Sequence, residues 1–570
     1  FDITLREAAS EIESVVVTAL GIKRSEKALS YNAQQINAED IVAVKDVNFV
    51  NSLNGKVAGL NINASSSGVG GSSKVVMRGS KSIAGSNNAL YVLDGIPLPS
   101  LSLTNPGDEF TIMRENNLTG DGISNFNLDD IASMAALTGP SAAALYGSQA
   151  ANGVLMLTDS YRFLSGMNTP PGRVPAAKMP SMSRQTQPDE RTFFLEHTAL
   201  AELTGLLKPN PFWEEMSAHP DYDAWWQERD LRRACYNVQP AVLVVGGTFD
   251  AEDCFGAWTL YRALNRQSPS TPCHLVVGPW AHGAWRNGGR TLGAFDFGSD
   301  ASWEYYMEHF EVPFFDHYLR DGNTDEAAPL PAAAVFSSGD NRWHTFGRFL
   351  PREARKLTLY LADGGILDTR RPTAKTSAST YVSDPSDPVP YCEVSGLRRP
   401  KEYMVADQRF LFGRPDVLTF VSEPLEEDMT LVGPVDADLE VTLSTTDADF
   451  VVKLIDLFPE DDPLPGYRML VRGDIMRGRY RRSFSRPEAF TPGVPARVPF
   501  RMTDIAHTFR AGHRIMVQVQ STWFPLAERN PQQFVDVWNC RASDFVPCRI
   551  SLLHQRDNAS SVTVWRLEAR

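Results

Sequence analysis

The pattern of apolar and polar positions changes along the chain. In the first part, short apolar runs such as SVVVTALG and KVVMRGSKSI are separated by turns rich in Gly, Asn and Ser. This pattern predicts short strands with a few helices, one of them an apolar helix in NLDDIASMAALTG. Further on, PAVLVVGG and CHLVVGPW are apolar without alternation, which is typical of buried parallel strands. FGAWTLYRALNRQ, between them, predicts an amphipathic helix.

After about residue 350 the runs become short and alternating, with Pro and Gly turns between them, which predicts a β-sandwich. The predicted strands are LTLYLA, DLEVTLST, FVVKLIDLF, YRMLVRG, RVPFRM, RIMVQVQS, CRISLLH and SVTVWRL. A sharp change in composition falls near residue 158, before which there is neither Cys nor Trp. We therefore expect three domains, at residues 1–158, 159–350 and 351–570.

Composition narrows the class of protein. A chain of 570 residues is too long for one core. The formal charge of −14 argues against a nucleic-acid partner. No apolar run is long enough for a membrane helix, and Phe1 does not open a signal peptide, although a mature or trimmed secreted chain fits as well.

The six cysteines form no C-x-x-C pair, so the sequence predicts neither a metal site nor a cofactor. Cys540 and Cys548 are the only pair close enough in sequence to suggest a disulfide. Scattered buried thiols are the favoured interpretation of all six cysteines.

An acid and a base follow the two buried strands. Asp250 stands in VLVVGGTFDAEDCFG and His282 in HLVVGPWAHGAW, 32 residues apart. This spacing suits one strand–helix–strand unit, and the ends of adjacent parallel strands lie close enough for a hydrogen bond. The carboxylate would fix the imidazole tautomer for acyl transfer, and His282 would be the general base for a serine. Taken singly, Asp250 also suits a turn, His282 a loop, and Glu252 and Asp253 the first turn of the next helix.

The nucleophile is unknown from sequence. No G-x-S-x-G elbow occurs in the 570 residues. GPSAA, at residues 139–143, has the outline G-x-S-x-A around Ser141, but its small residues favour a packed helix.

From about residue 159 the chain resembles the CocE/NonD hydrolases, which include cocaine esterase, α-amino-acid ester hydrolases and X-Pro dipeptidyl-peptidases. The resemblance is carried by NPFWEEMSAHPDYDAWWQERDL, PAVLVVGGTFDAEDCFGAWTLYRAL, LVVGPWAHGAW and HTFRAGHRIMVQVQSTWFP. It implies a partial α/β-hydrolase, the carboxy-terminal half with a helical cap, followed by a jelly-roll β-sandwich. In that family the triad Asp and His occupy the segments that here contain Asp250 and His282. The half that carries the nucleophile has no counterpart in this chain, so we expect it to be inactive alone.

The same resemblance raises a question about the cap segment, because α-amino-acid ester hydrolases bind the substrate ammonium with carboxylates. The candidates for this cluster or for an acyl pocket are Glu214, Glu215, Asp221, Asp223, Trp225 and Trp226. A helical cap with solvated acids and a packed Trp pair explains them equally well. In the third domain, His507 and His513 are interpreted as structural, and the acids of TTDADF as solvated turn residues rather than calcium ligands.

Residues 11–158 resemble the plug domain of SusC-type TonB-dependent receptors. The resemblance rests on VVVTALGIKRSEKALSY, LNGKVAGLNI, VMRGSKSI, NALYVLDGIPL and LTGPSAAALYGSQAANGVLMLT. It implies a small α+β domain and a cell-envelope location in a Gram-negative bacterium. It also implies that Val15, Val16, Val17 and Thr18 lie near the segment gripped by a TonB-type energy transducer, although an ordinary edge strand is the alternative.

Three functional hypotheses follow. The first is a serine hydrolase for small ester or peptide substrates, whose nucleophile half comes from a separate chain. The second is a plug-type module of a nutrient importer without its barrel, because no array of barrel strands follows residue 158. The third is a chimeric or misassigned sequence. The oligomeric state is left open by all three.

Overall fold

The computed structural model describes residues 189–207, 211–319, 330–396 and 399–568, together with eight short strands before residue 138. The chain divides into two compact units, one of residues 1–145 with 168–176 and the other of residues 146–167 with 177–570. The domain boundary at residue 158 stays a prediction. In the described parts of the chain, no helix is both long enough and apolar enough to cross a bilayer.

The described strands of the first unit form antiparallel pairs: β1 with β2, β3 with β8, β4 with β5 and β6 with β7. Their bounds are β1 Val15–Val17, β2 Lys23–Ser25, β3 Ala33–Asn37, β4 Leu60–Asn63, β5 Lys74–Met77, β6 Val92–Leu93, β7 Ile96–Pro97 and β8 Ser133–Leu137. The prediction of a helix in NLDDIASMAALTG is wrong, because residues Ser133–Leu137 of this segment form strand β8. β8 pairs with β3, and Leu137 lies opposite Ala33. A partner so distant in sequence overrides local helix propensity.

The helices described in the second unit are α1 Glu190–Glu196, α2 Leu200–Leu207, α3 Pro211–Ala218, α4 Ala224–Gln227, α5 Cys254–Gln267, α6 Trp303–Tyr306 and α7 Val312–Leu319. A π-helical segment, Met307–Glu311, joins α6 to α7. The first helices share an apolar cluster in which Trp213 packs edge-on against Trp538 at 5.3 Å. The predicted cap segment is therefore helical, and its core includes residues from the far end of the chain.

A four-stranded sheet carries the predicted acid and base. Its strands are β9 Val242–Gly247, β10 Cys273–Gly278, β13 Ala333–Ser337 and β14 Arg342–Phe346, in the order β14-β13-β10-β9. β9, β10 and β13 are parallel, and β14 is antiparallel to β13. Trp258 and Leu264 of α5 pack against Leu275 and Val277 of β10. The two predicted buried strands and the helix between them are confirmed, and a short hairpin, β11 Thr291–Leu292 and β12 Phe295–Asp296, follows them.

An eleven-stranded sheet fills most of the remaining chain, in the order β17-β24-β19-β25-β15-β16-β18-β23-β20-β21, with β22 paired to β19. Its strands are β15 Ala354–Ala362, β16 Ile366–Asp368, β17 Ala378–Ser383, β18 Leu418–Val421, β19 Met429–Leu443, β20 Asp449–Leu457, β21 Arg468–Arg477, β22 Ala496–Phe509, β23 Arg514–Gln520, β24 Cys548–Leu553 and β25 Ser561–Leu567. All eight predicted strands are confirmed. Their apolar positions form a continuous core that includes Leu439, Leu454 and Val517.

Polar contacts join the two sheets of the second unit. The Ser338 hydroxyl lies 2.8 Å from Nδ1 of His507, whose Nε2 lies 3.0 Å from Asp456. Nδ1 of His513 lies 2.9 Å from the other oxygen of the same carboxylate. Burial opposes protonation of His513, but its hydrogen bond to Asp456 raises its pKa overall. Both histidines are buried, in agreement with the structural role predicted for them.

The acids of TTDADF are not solvated, so that prediction is wrong. Asp447 and Asp449 are 0% and 1% exposed. Nε of Arg479 donates to Asp447 at 2.7 Å, and Nε of Arg477 donates to Asp449 at 3.2 Å. Buried carboxylates require such partners, and these partners lie about thirty residues further along the chain, outside any local pattern. All six cysteines are buried free thiols, as predicted.

Candidate active site

The ends of β9 and β10 are drawn together at a glycine. A Cβ added to Gly247 would lie 2.1 Å from the Trp280 carbonyl oxygen, so no side chain fits there. The amide of Phe249 donates to the same carbonyl at 3.1 Å, and that of Thr248 donates to the Gly278 carbonyl at 2.8 Å. The loop after β9 is thereby fixed against the loop after β10, and Asp250 and His282 lie in these two loops.

Asp250 is 1% exposed and both of its carboxylate oxygens have partners. Oδ1 accepts the amides of Glu252 at 2.8 Å and Asp253 at 3.0 Å, which closes a tight turn. Oδ2 lies 3.1 Å from Nδ1 of His282. The structure therefore brings together the acid and base that the sequence singled out, in the orientation in which a carboxylate fixes the imidazole.

Two further carboxylates surround His282, and the sequence interpretation missed their position. Asp253 is the residue before α5, but its side chain makes no cap hydrogen bond; its Oδ2 lies 3.4 Å from Nδ1 of His282. Oε2 of Glu252 lies 3.6 Å from Nε2 of the same ring. The turn closed by Asp250 aims both side chains back at the imidazole, so they are more than first-turn acids of α5. The D-x-E-D spacing was the available signal.

Arg399 reaches this cluster from the second half of the chain. Its Nη2 donates to Oε1 of Glu252 at 3.1 Å, and its guanidinium lies 5.6 Å from the centre of the Tyr403 ring. The Arg399 side chain is 9% exposed, whereas that of Glu252 is 43% exposed. A largely buried cation thus holds one oxygen of Glu252 while the other faces His282.

The acidic surroundings control the charge of the imidazole. The hydrogen bond to Asp250, together with the charges of Asp250, Glu252 and Asp253, raises the pKa of His282 to about 9 against the opposing effect of burial. Burial and the neighbouring charge of Asp250 raise the pKa of Asp253, and the charge of His282 reduces this rise. These surroundings therefore favour the imidazolium form of His282.

An aromatic wall adjoins the imidazole. The Trp285 ring meets that of His282 edge-on at 6.1 Å, and the buried Trp280 lies 6.3 Å from Trp285. Nε1 of Trp280 donates to the Ala301 carbonyl at 2.6 Å. The His282 side chain is 42% exposed, so small molecules can reach the ring beside this apolar surface.

The carboxylates of the cap segment are either exposed to solvent or bonded to neighbouring side chains. Glu214 and Glu215 are exposed. Asp221 accepts a hydrogen bond from the Tyr480 hydroxyl at 2.8 Å, and Asp223 caps α4 while its other oxygen lies 2.6 Å from Nδ1 of His219. The Trp225 and Trp226 rings meet edge-on at 4.6 Å. The packed Trp pair and the solvated glutamates agree with the simpler interpretation of this segment.

The other sequence candidates belong to the first unit. Val15, Val16 and Val17 form β1, paired with β2. Thr18 and Ser141 lie outside the described residues.

Three family profiles match the chain. Residues 25–154 match the TonB-dependent receptor plug domain. Residues 130–284 match the X-Pro dipeptidyl-peptidase (S15 family), and residues 315–557 match the X-Pro dipeptidyl-peptidase C-terminal non-catalytic domain. The first two matches overlap at residues 130–154, which include Ser141.

Individual proteins agree with these matches. Cocaine esterase from Rhodococcus sp. (strain MB1 Bresler) is 32% identical over 348 residues, which are 58% of this chain and 58% of that enzyme. The crystal structure of an α-amino acid ester hydrolase matches at 32% identity with a TM-score of 0.66, covering 73% of this chain and 69% of that one. TonB-dependent receptor P26 from Formosa agariphila is 33% identical over 165 residues, which are 29% of this chain and 14% of the receptor. The chain thus spans less than two thirds of the length of either curated relative.

Proposed function

Because the chain belongs to the CocE/NonD hydrolase family through its larger, second part, we propose that this part supplies the acid and base of a serine hydrolase for ester or amide substrates. The observation that carries the proposal is the 3.1 Å contact between Asp250 and His282 at the ends of adjacent parallel strands. The eleven-stranded sheet would be the jelly roll that accompanies such hydrolases.

In the proposed reaction, Nε2 of His282 takes the proton of a serine hydroxyl as that oxygen attacks the substrate carbonyl. His282 then returns the proton to the leaving alcohol or amine, and water repeats the cycle on the acyl-enzyme. Asp250 holds Nδ1–H throughout and stabilises the transient imidazolium. A buried acid whose other oxygen is fixed by two backbone amides suits this role, because it cannot rotate away.

We propose that a separate polypeptide contributes the serine and that the chain is inactive alone. The sequence supports this because it contains no G-x-S-x-G. Ser141 is the serine to test first within the chain, since it lies where the plug and hydrolase matches overlap.

The same site favours a substrate with a free amino group. Glu252 and Asp253 place two half-exposed carboxylates beside the imidazole, where an ammonium group one or two bonds from the scissile carbonyl would lie. An α-amino-acid ester or the amino end of a peptide has this arrangement, and the solved relative named above is an α-amino acid ester hydrolase. The aromatic wall at Trp285 would receive the apolar part of the substrate.

A fluorophosphonate probe tests the missing nucleophile. We expect no labelling of the purified chain. We expect labelling and ester hydrolysis to appear when the chain is mixed with the part of cocaine esterase that lies outside the alignment. The His282→Ala variant should abolish this hydrolysis, and His344→Ala, at a histidine paired with Asp340, should not. Labelling of the chain alone that disappears in Ser141→Ala would instead place the nucleophile here, and hydrolysis that survives His282→Ala would refute the role of this residue.

A second candidate function belongs to the first unit. Its match to the plug domain supports binding of a TonB-type partner in the envelope of a Gram-negative bacterium, with the edge of β1 as the contact. Retention of the chain by the periplasmic domain of TonB at micromolar concentration, weakened by Val16→Pro, is the expected result. No retention would remove this function and favour a chimeric origin for the chain.

A further inference from the structure

We propose that Asp250, Asp253 and His282 form a binding site for a divalent transition metal, with Zn²⁺ as the best-fitting ion. One oxygen of each carboxylate and Nδ1 of the imidazole would be the protein ligands, and water would take the fourth position. Neither the nucleophile nor the substrate of the proposed hydrolase enters this inference, which stands on the geometry of three side chains.

Two of the three distances between the ligand atoms fit tetrahedral coordination. Nδ1 of His282 lies 3.1 Å from Oδ2 of Asp250 and 3.4 Å from Oδ2 of Asp253. One ligand atom from each of the three residues lies within 4.8 Å of the other two. Zinc bonds to nitrogen and oxygen of about 2.0 Å in a tetrahedron place the ligand atoms about 3.3 Å apart. Small movements of the half-exposed Asp253 side chain would therefore complete the site.

Asp250 is held in the way that metal ligands usually are, and a carboxylate lies near the second nitrogen of His282. The second oxygen of Asp250 accepts two backbone amides, which fix the carboxylate. Glu252 lies 3.6 Å from Nε2, the ring nitrogen that the metal would not use. A metal-bound histidine almost always donates its other N–H to a carboxylate, carbonyl or water. Arg399 in turn holds Glu252 in place.

Charge and access favour a cation here. Three carboxylates face one imidazole, and Arg399 together with a protonated His282 compensates only two of them. The His282 and Asp253 side chains are 42% and 54% exposed, so an ion can enter from solvent and keep a bound water. The set of one nitrogen and two oxygens suits zinc better than calcium or magnesium, which prefer oxygen ligands alone.

Binding replaces a proton. The metal takes the Nδ1 lone pair, so the proton that this nitrogen shares with Asp250 is released to solvent. His282 then keeps only its Nε2 proton, and Asp250 bonds the metal instead of the ring. With zinc bound, His282 therefore has no free nitrogen to accept the proton of a serine. Zinc would inhibit any hydrolase that uses Asp250 and His282 as its acid and base.

Isothermal titration calorimetry of the full chain, prepared without a polyhistidine tag, tests the site with ZnCl₂. We expect one ion per chain with a dissociation constant in the micromolar range or below. His282→Gln and Asp253→Asn should each weaken binding by at least about 10-fold, since each removes a ligand. The matched control is His344→Gln, because His344 lies 3.0 Å from a single carboxylate, Asp340, and should leave the affinity unchanged.

Cobalt gives an independent signature. Co²⁺ bound in four-coordinate geometry should give visible absorption bands that Zn²⁺ abolishes on addition and that His282→Gln lacks. Zinc binding weaker than millimolar, or binding that both ligand variants leave unchanged, would overturn the proposal. Because neither measurement involves hydrolysis, such a result would leave the proposed hydrolase role untouched, and failure of the hydrolysis assay would leave the metal site untouched.

Discussion

Among single residues, the charge of His282 decides whether this side chain can act as a base. The raised pKa of His282 favours the imidazolium, which has no lone pair to accept the proton of a serine. A cationic amine bound by Glu252 and Asp253 would lower that pKa through like-charge repulsion. Substrate binding would then free the base that the reaction needs, which a neutral ester would not do.

Once a nucleophile half is supplied, Glu252 and Asp253 should select substrates that carry a free amine. Glu252→Gln and Asp253→Asn should each raise KM for an α-amino-acid ester by about 10-fold, the loss of roughly 1.4 kcal/mol of ion pairing. KM for the same ester with an acetylated amine should change little. The measurement is steady-state hydrolysis of the two esters. An equal effect on both would show that the carboxylates do not read the amine.

The absence of a side chain at Gly247 lets the loops after β9 and β10 approach closely. Gly247→Ala places a methyl group against the Trp280 carbonyl, so we expect the free energy of unfolding to fall by about 1–3 kcal/mol. Denaturation in urea measures the change. Gly205→Ala is the control, because Gly205 lies in α2 with no atom within 4 Å of the added Cβ; there we expect a gain of about 0.5–1 kcal/mol. Equal effects of the two variants would contradict the close approach of the loops.

The burial of Lys453 should make the free energy of unfolding depend on pH. It is fully buried on β20, donates to Oε1 of Gln408 at 2.9 Å, and burial lowers its pKa to about 7 from 10.5. Between those values the unfolded chain binds the extra proton, so stability rises as the pH rises through the window and is lost as the pH falls. The slope from this group is at most about 1.4 kcal/mol per pH unit.

Lys453→Met should remove that slope. We expect the variant to exceed the natural protein in free energy of unfolding by more at pH 7.5 than at pH 9.5, as measured by urea denaturation at both values. Lys356→Met, at an exposed lysine of β15, should change the two values alike. A constant difference between Lys453→Met and the natural protein would mean that Lys453 is charged in the folded state.

At the scale of elements, a buried ionic network joins the ends of β20 and β21. Nη1 of Arg477 lies 2.8 Å from Glu528, its Nε lies 3.2 Å from Asp449, and the amide of Asn530 donates to Asp449 at 2.6 Å. Arg477→Met would leave buried carboxylates without their cation, so we expect a loss of about 3–5 kcal/mol.

The matched control is Arg482→Met. Arg482 pairs with Glu488 at 2.9 Å but is 71% exposed, so the loss should stay below about 1 kcal/mol. Thermal and urea unfolding compare the two variants. Similar losses would mean that burial does not strengthen the network.

The sequence predicts those elements whose pattern is local and misses those that depend on distant partners. β9, β10 and the strands after residue 350 were predicted because their periodicity is local and strong. The Asp250–His282 contact followed from their order in the chain. Glu252 and Asp253 were misjudged because their direction depends on a turn closed by a side chain. Asp447 was misjudged because its partner Arg479 lies 32 residues further along the chain, in the turn after β21. β8 was missed because only its pairing with β3 makes it a strand.

At the scale of the second unit, Arg472 ties the loop that carries Asp250 to the large sheet. It is 3% exposed, and its Nη2 donates to the carbonyls of Thr248 at 2.8 Å and Asp504 at 3.0 Å. Arg262 of α5 pairs with the same Asp504. The loop that carries Asp250 is therefore held from β21 and β22 as well as from its own strand.

Arg472→Met should lower the free energy of unfolding by about 2–3 kcal/mol, because two buried carbonyls lose a charged donor. Calorimetric melting of the full chain measures this loss. Arg497 of β22 forms an exposed pair with Asp438 of β19, so Arg497→Met should change stability by less than about 1 kcal/mol. Equal shifts would indicate that the Thr248 contact contributes little.

The Arg472 contact has a consequence for engineering. Exchange of the β-rich module with that of a relative would loosen the loop that carries Asp250 wherever the incoming module lacks the guanidinium, because the backbone carbonyl of residue 248 would lose its donor. Shuffled libraries joined at the predicted boundary near residue 350 should therefore yield folded proteins with a displaced Asp250 wherever position 472 lacks its arginine.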